Sequence, residues 1–331
     1  MKTFHWLTLN RRRTALLVWS LLASVACACN IPVFRYALER WRPDPCQIVV
    51  LYDAQLTKAE QELVAALKPK PEQASDANVD LMLVDVNDAS MPLVATWRSV
   101  SDTNDDLPHV FVRTKLGPDR WINGWHGPLN TISADRVLYS PARKELGRRL
   151  LAGHAVVWIL VTSDDQKKNE AAKKLLADNL EPLSGKIELP EGIGLPGSEL
   201  HSEIPLLLKF SALQIDHKDQ KEAFLVKLFS GFQPEAVEDG EPLLIPVFGR
   251  GRALEVIPAS QMTPKLMEDL TGFLSGACSC QVKEQNPGFD LLLSVDWNTE
   301  LFGAGQQPPP ERTERDRQKP ILLTIPPGDR P

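Results

Sequence analysis

Two cysteines lie one residue apart near the end of the chain, in the stretch GACSCQVKEQNPGFDLLL at residues 276–293. Thiols at this spacing could exchange disulfides, bind a soft metal ion such as Cu(I), or form a strained disulfide with each other. Cys278 and Cys280 follow a segment with helical periodicity that ends at Gly276. Because the negative end of a helix dipole opposes thiolate formation, this position favours structural cysteines over catalytic ones.

A metal site at these cysteines lacks further ligands in the sequence. A structural zinc ion needs about four ligands, and Cys46 is the other cysteine that follows residues 1–29. The six histidines contain no HxxH or HExxH spacing. We therefore expect no metal site and no cofactor. A disulfide between Cys278 and Cys280, a bridge to Cys46, and free structural thiols all stay open, and an oxidising compartment favours a disulfide.

The stretch FGRGRALEV at residues 248–256, together with residues 276–297, resembles a known group of proteins. This is a family of uncharacterised bacterial secreted proteins with thioredoxin-like domains and a CSCQVKxQNPG signature. The resemblance covers the second half of the chain and implies no activity. It selects as candidate site residues Cys278, Cys280, Arg250, Arg252, Lys283, Asn286 and Asp290. The alternative is that these residues close the last helix onto a hairpin, with Asn286-Pro287-Gly288 as a turn.

The elements that must position these residues follow one order in each half of the chain. Buried strands are predicted from short apolar, β-branched runs, and helix starts from capping residues followed by helical periodicity. In the first half the predicted strands are 46–52, 79–86, 108–113 and 120–127, and the predicted helices follow Thr57, span 91–98 and follow Ser140. In the second half the predicted strands are 156–162, 205–213, 243–249 and 252–257. The predicted helices follow Ser163 to about Leu180, span 219–229 and follow Thr263.

Each half therefore reads β-α-β-α-β-β-α. Strands joined through helices pair in parallel, and the terminal hairpin adds an antiparallel pair, so the sheets should be mixed. This order resembles thioredoxin, and we expect an α/β protein with two tandem thioredoxin-like domains, at 46–153 and 154–303. In such folds the proline before the third strand is usually cis, and here Pro108 and Pro242 occupy that position.

Thioredoxin-type catalysis requires a CxxC motif at the start of the first helix, where the helix dipole stabilises the thiolate. The corresponding loops here are YDAQLTK at 52–58 and VTSDDQK at 161–167, and neither contains cysteine. The resemblance therefore implies the fold without the oxidoreductase activity. The sequence also lacks a phosphate-binding GxxxxGK[ST] loop and a GxSxG nucleophile elbow.

The N-terminus has the pattern of a secretory signal, because three arginines precede an apolar run and then small residues. We expect residues 1–29 to be a lipoprotein signal lipidated at Cys27 or Cys29, with simple cleavage and an uncleaved anchor as alternatives. Residues 30–45 should form a juxtamembrane segment with a short helix. The proline-rich, charged residues 304–331 should be a disordered tail.

The charge balance of the chain and its predicted location limit the classes of function that we expect. Residues 1–26 hold four basic side chains and no acidic one, which leaves 33 basic against 43 acidic residues in the remainder. That balance excludes nucleic-acid binding as an expected role. We expect an extracytoplasmic, membrane-anchored binding or scaffolding protein in the periplasm or cell envelope. Its partner would be an envelope or membrane protein such as a transporter. The alternative is a thiol-disulfide or metal-handling (Cu/Zn) protein that uses Cys278 and Cys280.

Overall fold

The computed structural model describes residues 30–68, 78–88, 90–100, 107–117, 120–132, 134–278 and 282–310. Within them the chain is an α/β protein with two mixed sheets, one of four strands and one of six. The predicted signal segment with Cys27 or Cys29, the residue Cys280 and the tail beyond residue 310 lie outside the described residues. None of the helices in the described part is long and apolar enough to span a membrane.

The chain enters the described region through a short helix, α1 (Val33–Arg40), and then forms the first sheet. The strands of that sheet are β1 (Cys46–Tyr52), β2 (Val79–Asp85), β3 (His109–Gly117) and β4 (Arg120–Pro128). The helices that accompany it are α2 (Lys58–Ala66), α3 (Pro92–Val100), α4 (Ala134–Leu138) and α5 (Pro141–Leu151). The strand order is β2-β1-β3-β4, with β1 parallel to β2 and the other neighbours antiparallel.

The second sheet is larger because short strands extend one edge of it. Its strands are β5 (Val156–Val161), β6 (Phe210–Ile215), β7 (Leu243–Phe248), β8 (Arg252–Ala253), β9 (Ile257–Pro258) and β10 (Phe289–Asp290). Its helices are α6 (Gln166–Lys186), α7 (Ala223–Phe232), α8 (Pro234–Glu238), α9 (Pro264–Ser275) and α10 (Trp297–Phe302). The order is β10-β8-β7-β5-β6, and β9 also pairs with β7.

The two sheets share one arrangement of their first four strands. In the first sheet β1 lies between the parallel β2 and the antiparallel β3, and in the second β5 lies between the parallel β6 and the antiparallel β7. The predicted α/β class with mixed sheets is confirmed. The Leu107–Pro108 peptide bond is cis, whereas the bond before Pro242 is not among the cis bonds of the described residues.

Several predicted element boundaries are wrong. The helix predicted at 219–229 begins at Ala223, and the strand predicted at 252–257 ends at Ala253. Asp165 caps α6 instead of Ser163, because its carboxylate accepts hydrogen bonds from the backbone of Lys167 and Lys168. The helix also continues through Pro182 to Lys186, well past the predicted end near residue 180. The strand predicted at 205–213 begins later, at Phe210, because pairing with β5 fixes its register.

The segment 30–45, which the sequence predicts as a juxtamembrane segment with a short helix, is part of the fold. Most residues of α1 are buried, and they pack against β7 and α9 in the core of the second sheet. Glu39 is fully buried and binds Arg35, Arg40 and the backbone of His201 and Ser202. The chain therefore contributes a helix to the second sheet before it builds the first one.

Candidate functional site

Cys278 lies where the end of α9 meets the segment that leads into α1. Its backbone nitrogen donates a hydrogen bond to the carbonyl oxygen of Ile31 at 2.9 Å, and the backbone nitrogen of Val33 donates to Gly276 at 3.0 Å. The Cys278 side chain is only 1% exposed and belongs to the apolar cluster around α1. Apolar burial disfavours the thiolate, which is the reactive form of a cysteine. The position is that of a structural residue, and its sequence neighbour Cys280 lies outside the described residues.

Cys46 is buried in a different apolar cluster, beneath the first sheet. Burial raises the pKa of its thiol to about 12, although a hydrogen bond with Thr114 and the charge of Arg143 act in the opposite direction. Cys46 is a free cysteine. The bridge to Cys46 that the sequence left open is therefore not formed.

The charged candidates meet at Asp290. Because β10 pairs with β8, Asp290 lies directly opposite Arg252, and its Oδ1 is 3.2 Å from Arg252 Nη1. Its Oδ2 is 2.5 Å from Lys283 Nζ and accepts a hydrogen bond from the backbone nitrogen of Asp44 at 2.6 Å. The carboxylate thus receives two cationic side chains and one backbone donor while it is almost completely buried.

The ionisation of Asp290 follows from these contacts. Burial by itself raises the pKa of the carboxyl group, because it penalises the charged form. The charges of Lys283 and Arg252, together with the hydrogen bonds from Asp44 and Lys283, lower it by more. The pKa of Asp290 therefore lies below its usual range, and the group is ionised at neutral pH.

Lys283 joins three separate parts of the chain. Its Nζ lies 2.5 Å from Asp290 Oδ2 in β10, 3.1 Å from Asp44 Oδ2, and 2.5 Å from the carbonyl oxygen of Arg42. Arg42 and Asp44 belong to the connection between α1 and β1. Asp44 in turn binds Lys115 of β3 through its Oδ1 at 3.3 Å. The ion-pair joint below denotes Asp44, Lys115, Arg252, Lys283 and Asp290. It fixes the connection between the two sheets.

Arg252 also holds the turn that the sequence predicts at Asn286-Pro287-Gly288. Its Nε donates to the carbonyl oxygen of Pro287 at 3.1 Å, and its Nη2 donates to those of Asn286 and Gly288, both at 2.9 Å. The amide of Asn286 donates to the carbonyl oxygen of Val282 at 2.8 Å, which closes the turn internally. The guanidinium group therefore supplies donors to three successive backbone oxygens of the turn.

Arg250 lies apart from the joint. It donates to the carbonyl oxygens of Leu38 at 2.8 Å and Glu39 at 3.0 Å, which belong to the last turn of α1. It also donates to the side-chain oxygen of Asn298 in α10, at 3.2 Å. A cation at a helix C-terminus is favourable because the carbonyl groups there are unpaired. Arg250 thus connects the end of α1 to α10.

The cavity beside the joint is small. Its volume is about 100 Å³, and its walls include Asp44, Lys115, Arg252, Lys283 and Asn286. Pockets for drug-sized molecules usually measure about 300–1,000 Å³. A larger cavity of about 590 Å³ lies between α6 and β6 and contains none of the candidate residues. The joint thus offers little room for an organic ligand, and its charges are already paired with one another.

Sequence reasoning found Arg252, Lys283, Asn286 and Asp290, which the structure brings together, but it missed Asp44. That residue stands between two prolines in a stretch without periodicity, so no local pattern marks it. It also missed the buried pair of Arg35 and Glu39, whose i,i+4 spacing on a predicted helix was a usable signal. Among the described residues, there is no group of three or more His, Cys, Asp or Glu side chains that could hold a metal ion.

Comparisons with known proteins assign no family to this chain. No protein-family model matches the chain, and no curated protein matches it. Among solved structures, the chain is similar to the crystal structure of full-length ERdj5, with 11% sequence identity and a TM-score of 0.20. The matched region covers 78% of this chain and 34% of that chain, so this chain spans about a third of the other protein's length.

Proposed function

We propose that the protein is an extracytoplasmic, membrane-anchored binding or scaffolding protein of the cell envelope. It consists of two tandem thioredoxin-like units without a thioredoxin redox site, and its partner is an envelope or membrane protein such as a transporter. The observation that carries the proposal is the ion-pair joint. The residues best suited to chemistry are engaged in ion pairs and hydrogen bonds with one another. Arg252, Lys283 and Asp290 are buried, and the group holds three chain segments together.

Two further observations support the architecture in this proposal. Both sheets arrange their first four strands in one order, with the first strand between a parallel and an antiparallel neighbour. The loops before α2 and α6, where thioredoxin carries its cysteines, contain none here. Thr57 and Asp165 cap the two helices at these positions, so the helix ends are satisfied by side-chain oxygens instead.

The thiol chemistry of the alternative function is tested directly on the purified full chain. We expect no turnover in an insulin-reduction assay and no bound copper or zinc by metal analysis. Cys278→Ala and Cys280→Ala should lower the melting temperature, because a small buried group or a short bridge is lost. Cys46→Ala serves as the control for removal of a buried thiol elsewhere. Turnover that either Cys278→Ala or Cys280→Ala abolishes at an unchanged melting temperature would contradict the proposal.

The membrane anchor needs a separate test because Cys27 and Cys29 lie outside the described residues. Each cysteine is replaced by serine, singly and together, and lipid labelling and membrane fractionation are followed in cells. We expect the double variant to lose the label and to leave the membrane fraction. A double variant that still carries lipid would exclude lipidation at these cysteines.

A further inference from the structure

One face of the first sheet changes from apolar to polar along its strands. Near one end, Val49, Leu51 and Phe111 lie in an apolar cluster with residues of α3. Two residues further along β1 and β3, the register places four polar side chains in a row across all four strands. From β2 to β4 this row consists of Asp80, Gln47, Arg113 and Asn123.

Arg113 is the unusual member of this row. The carbon centre of its guanidinium group lies 4.5 Å from the centroid of the Trp121 ring, and Trp121 is the next residue of β4 on the same face. Within the described residues, no carboxylate or carbonyl oxygen accepts a hydrogen bond from the Arg113 side chain. Its Nε is sealed from solvent and has no partner, so the two Nη atoms are the donors left for an external group.

Among the described residues, the acidic side chains nearby do not neutralise Arg113. Asp80 lies two strands away in the row, about 10 Å at the usual strand spacing, and it accepts a hydrogen bond from Gln47 Nε2 at 3.3 Å. Asp44 is paired with Lys115 and Lys283. Arg113 is therefore a half-buried positive charge with open donors beside an aromatic ring, on a protein with a net charge of −6.

This arrangement disfavours the charged form of Arg113 in the isolated protein. Burial lowers the pKa of its guanidinium group, although arginine stays protonated at neutral pH. An external carboxylate would remove the penalty, since it supplies both an opposite charge and acceptor oxygens. Arginine and tryptophan are also the side chains that most often dominate protein–protein interfaces.

We propose that Arg113 and Trp121 anchor a protein-binding surface that receives an Asp or Glu side chain of the partner. The proposal rests on the binding role proposed above and adds the chemistry of the partner. Because Nε is closed, the carboxylate binds end-on through both Nη atoms. Asn123, opposite Arg113 on β4, lies beside this position as a further polar side chain, and Trp121 provides an apolar contact for the residue that carries the carboxylate.

The test selects random 12-residue displayed peptides on the purified full chain and measures the affinity of the selected peptides. We expect an Asp or Glu at one position next to apolar residues, and at least about a tenfold weaker binding for Arg113→Met and Trp121→Ala. Arg148→Met is the matched control, because Arg148 is an exposed arginine paired with Glu145 on α5, and it should bind normally. No binders, binders without acidic residues, or equal binding by Arg113→Met would overturn the proposal.

Two further measurements test the alternatives. The first asks whether Arg113 and Trp121 serve only to stabilise the fold, and the second asks whether this surface binds a second copy of the chain. Arg113→Met should leave the melting temperature unchanged or raise it, because a buried unsatisfied donor is removed. A lower melting temperature would assign Arg113 a structural role and contradict the proposal. Sedimentation that shows a dimer, lost in Arg113→Met, would assign the surface to a second copy of this chain and also contradict it. These results are independent of the thiol assay, so the two proposals can fail separately.

Discussion

The ammonium group of Lys283 and the carboxylate of Asp290 are 2.5 Å apart, and both side chains are 5% exposed. Such a pair differs from a surface ion pair, whose net contribution is usually below about 1 kcal/mol. When one partner of a buried pair is removed, the other charge stays in a poorly solvated position, and stability falls by about 3–5 kcal/mol. Lys283 and Asp290 are therefore explained by the connection that they hold in place.

Asp290 should make the protein sensitive to acid. Its pKa is lowered in the folded state, whereas the unfolded value is about 3.9, so its contribution is present above that pH. The contribution is lost as the pH falls through the folded-state pKa. Urea unfolding between pH 7 and pH 3 should show that Asp290→Asn is less stable at pH 7 and loses less stability below about pH 4 than the wild type. If the stability of the two proteins depends on pH in the same way, the joint does not lower the pKa of Asp290.

His154 should make the stability of the protein depend on pH over a different, higher range. Burial, followed by the charges of Lys209, Arg149 and Arg148, lowers its pKa to about 4 against the opposing charge of Glu145, and its Nδ1 lies 2.8 Å from Ser211 Oγ. The unfolded value is about 6.5, so acidification from there to about pH 4 protonates the unfolded chain first and lowers stability.

His154→Gln should therefore reduce the loss of stability between about pH 6.5 and pH 4. Solvent screening keeps the effect modest because the imidazole is only partly buried. The comparison uses chemical unfolding at closely spaced pH values, with Asp290→Asn as a control whose effect falls below this window. An unchanged slope in His154→Gln would contradict the assigned pKa.

The turn held by Arg252 should tolerate no side chain at Gly288. Its φ angle is +107°, and a Cβ there would overlap the carbonyl oxygen of Ala253 in β8. Gly303 has a similar φ of +89° with open space around it, so it provides a matched control for backbone strain alone. Gly288→Ala should lose at least about 1 kcal/mol more stability than Gly303→Ala. Equal losses in thermal unfolding would mean that the turn can move away from β8.

The helix α1 should be essential to the second sheet. Glu39 is 0% exposed and accepts hydrogen bonds from two arginines and two backbone nitrogens. Glu39→Ala should lower the free energy of unfolding by about 3–5 kcal/mol, and limited proteolysis should then cut residues 187–209 faster. Glu60 lies at the start of α2, where its carboxylate accepts an exposed hydrogen bond from the backbone nitrogen of Thr57, so Glu60→Ala should lose only about 1 kcal/mol. If both variants have the same stability, α1 is not part of this core.

Local patterns predicted most elements because capping residues and apolar runs act within a few residues of each other. Thr57, Ser140 and Thr263 cap their helices as the sequence indicates. Where local patterns failed, a distant partner decides the structure. The strand β10 has only two residues and forms because Arg252 lies opposite Asp290, which no periodicity reveals. The helix α6 passes through Pro182 because Leu180 and Leu183 are buried on either side of it.

At the candidate site, too, the residues marked by a sequence pattern were predicted, and those placed by contacts between distant segments were not. The resemblance selects Lys283, Asn286 and Asp290, which lie within eight residues of one another, and Arg252 in a second stretch that β8 brings opposite β10. Asp44 is about 240 residues away from Lys283, so the sequence alone gives no reason to place their side chains within 3.1 Å. The role of Arg113 was also hidden, because it follows from the register of four strands and from the absence of an acceptor among the described residues.

The most direct test of the ion-pair joint is a double-mutant cycle between Lys283 and Asp290, measured by urea unfolding at pH 7. Lys283→Met and Asp290→Asn should each lower the free energy of unfolding by about 3–5 kcal/mol. The double variant should lose about 1.5–3 kcal/mol less than the two single losses together, because the second change removes the charge that the first one left unpaired. Additive losses, or single variants as stable as the wild type, would contradict a structural joint at these residues.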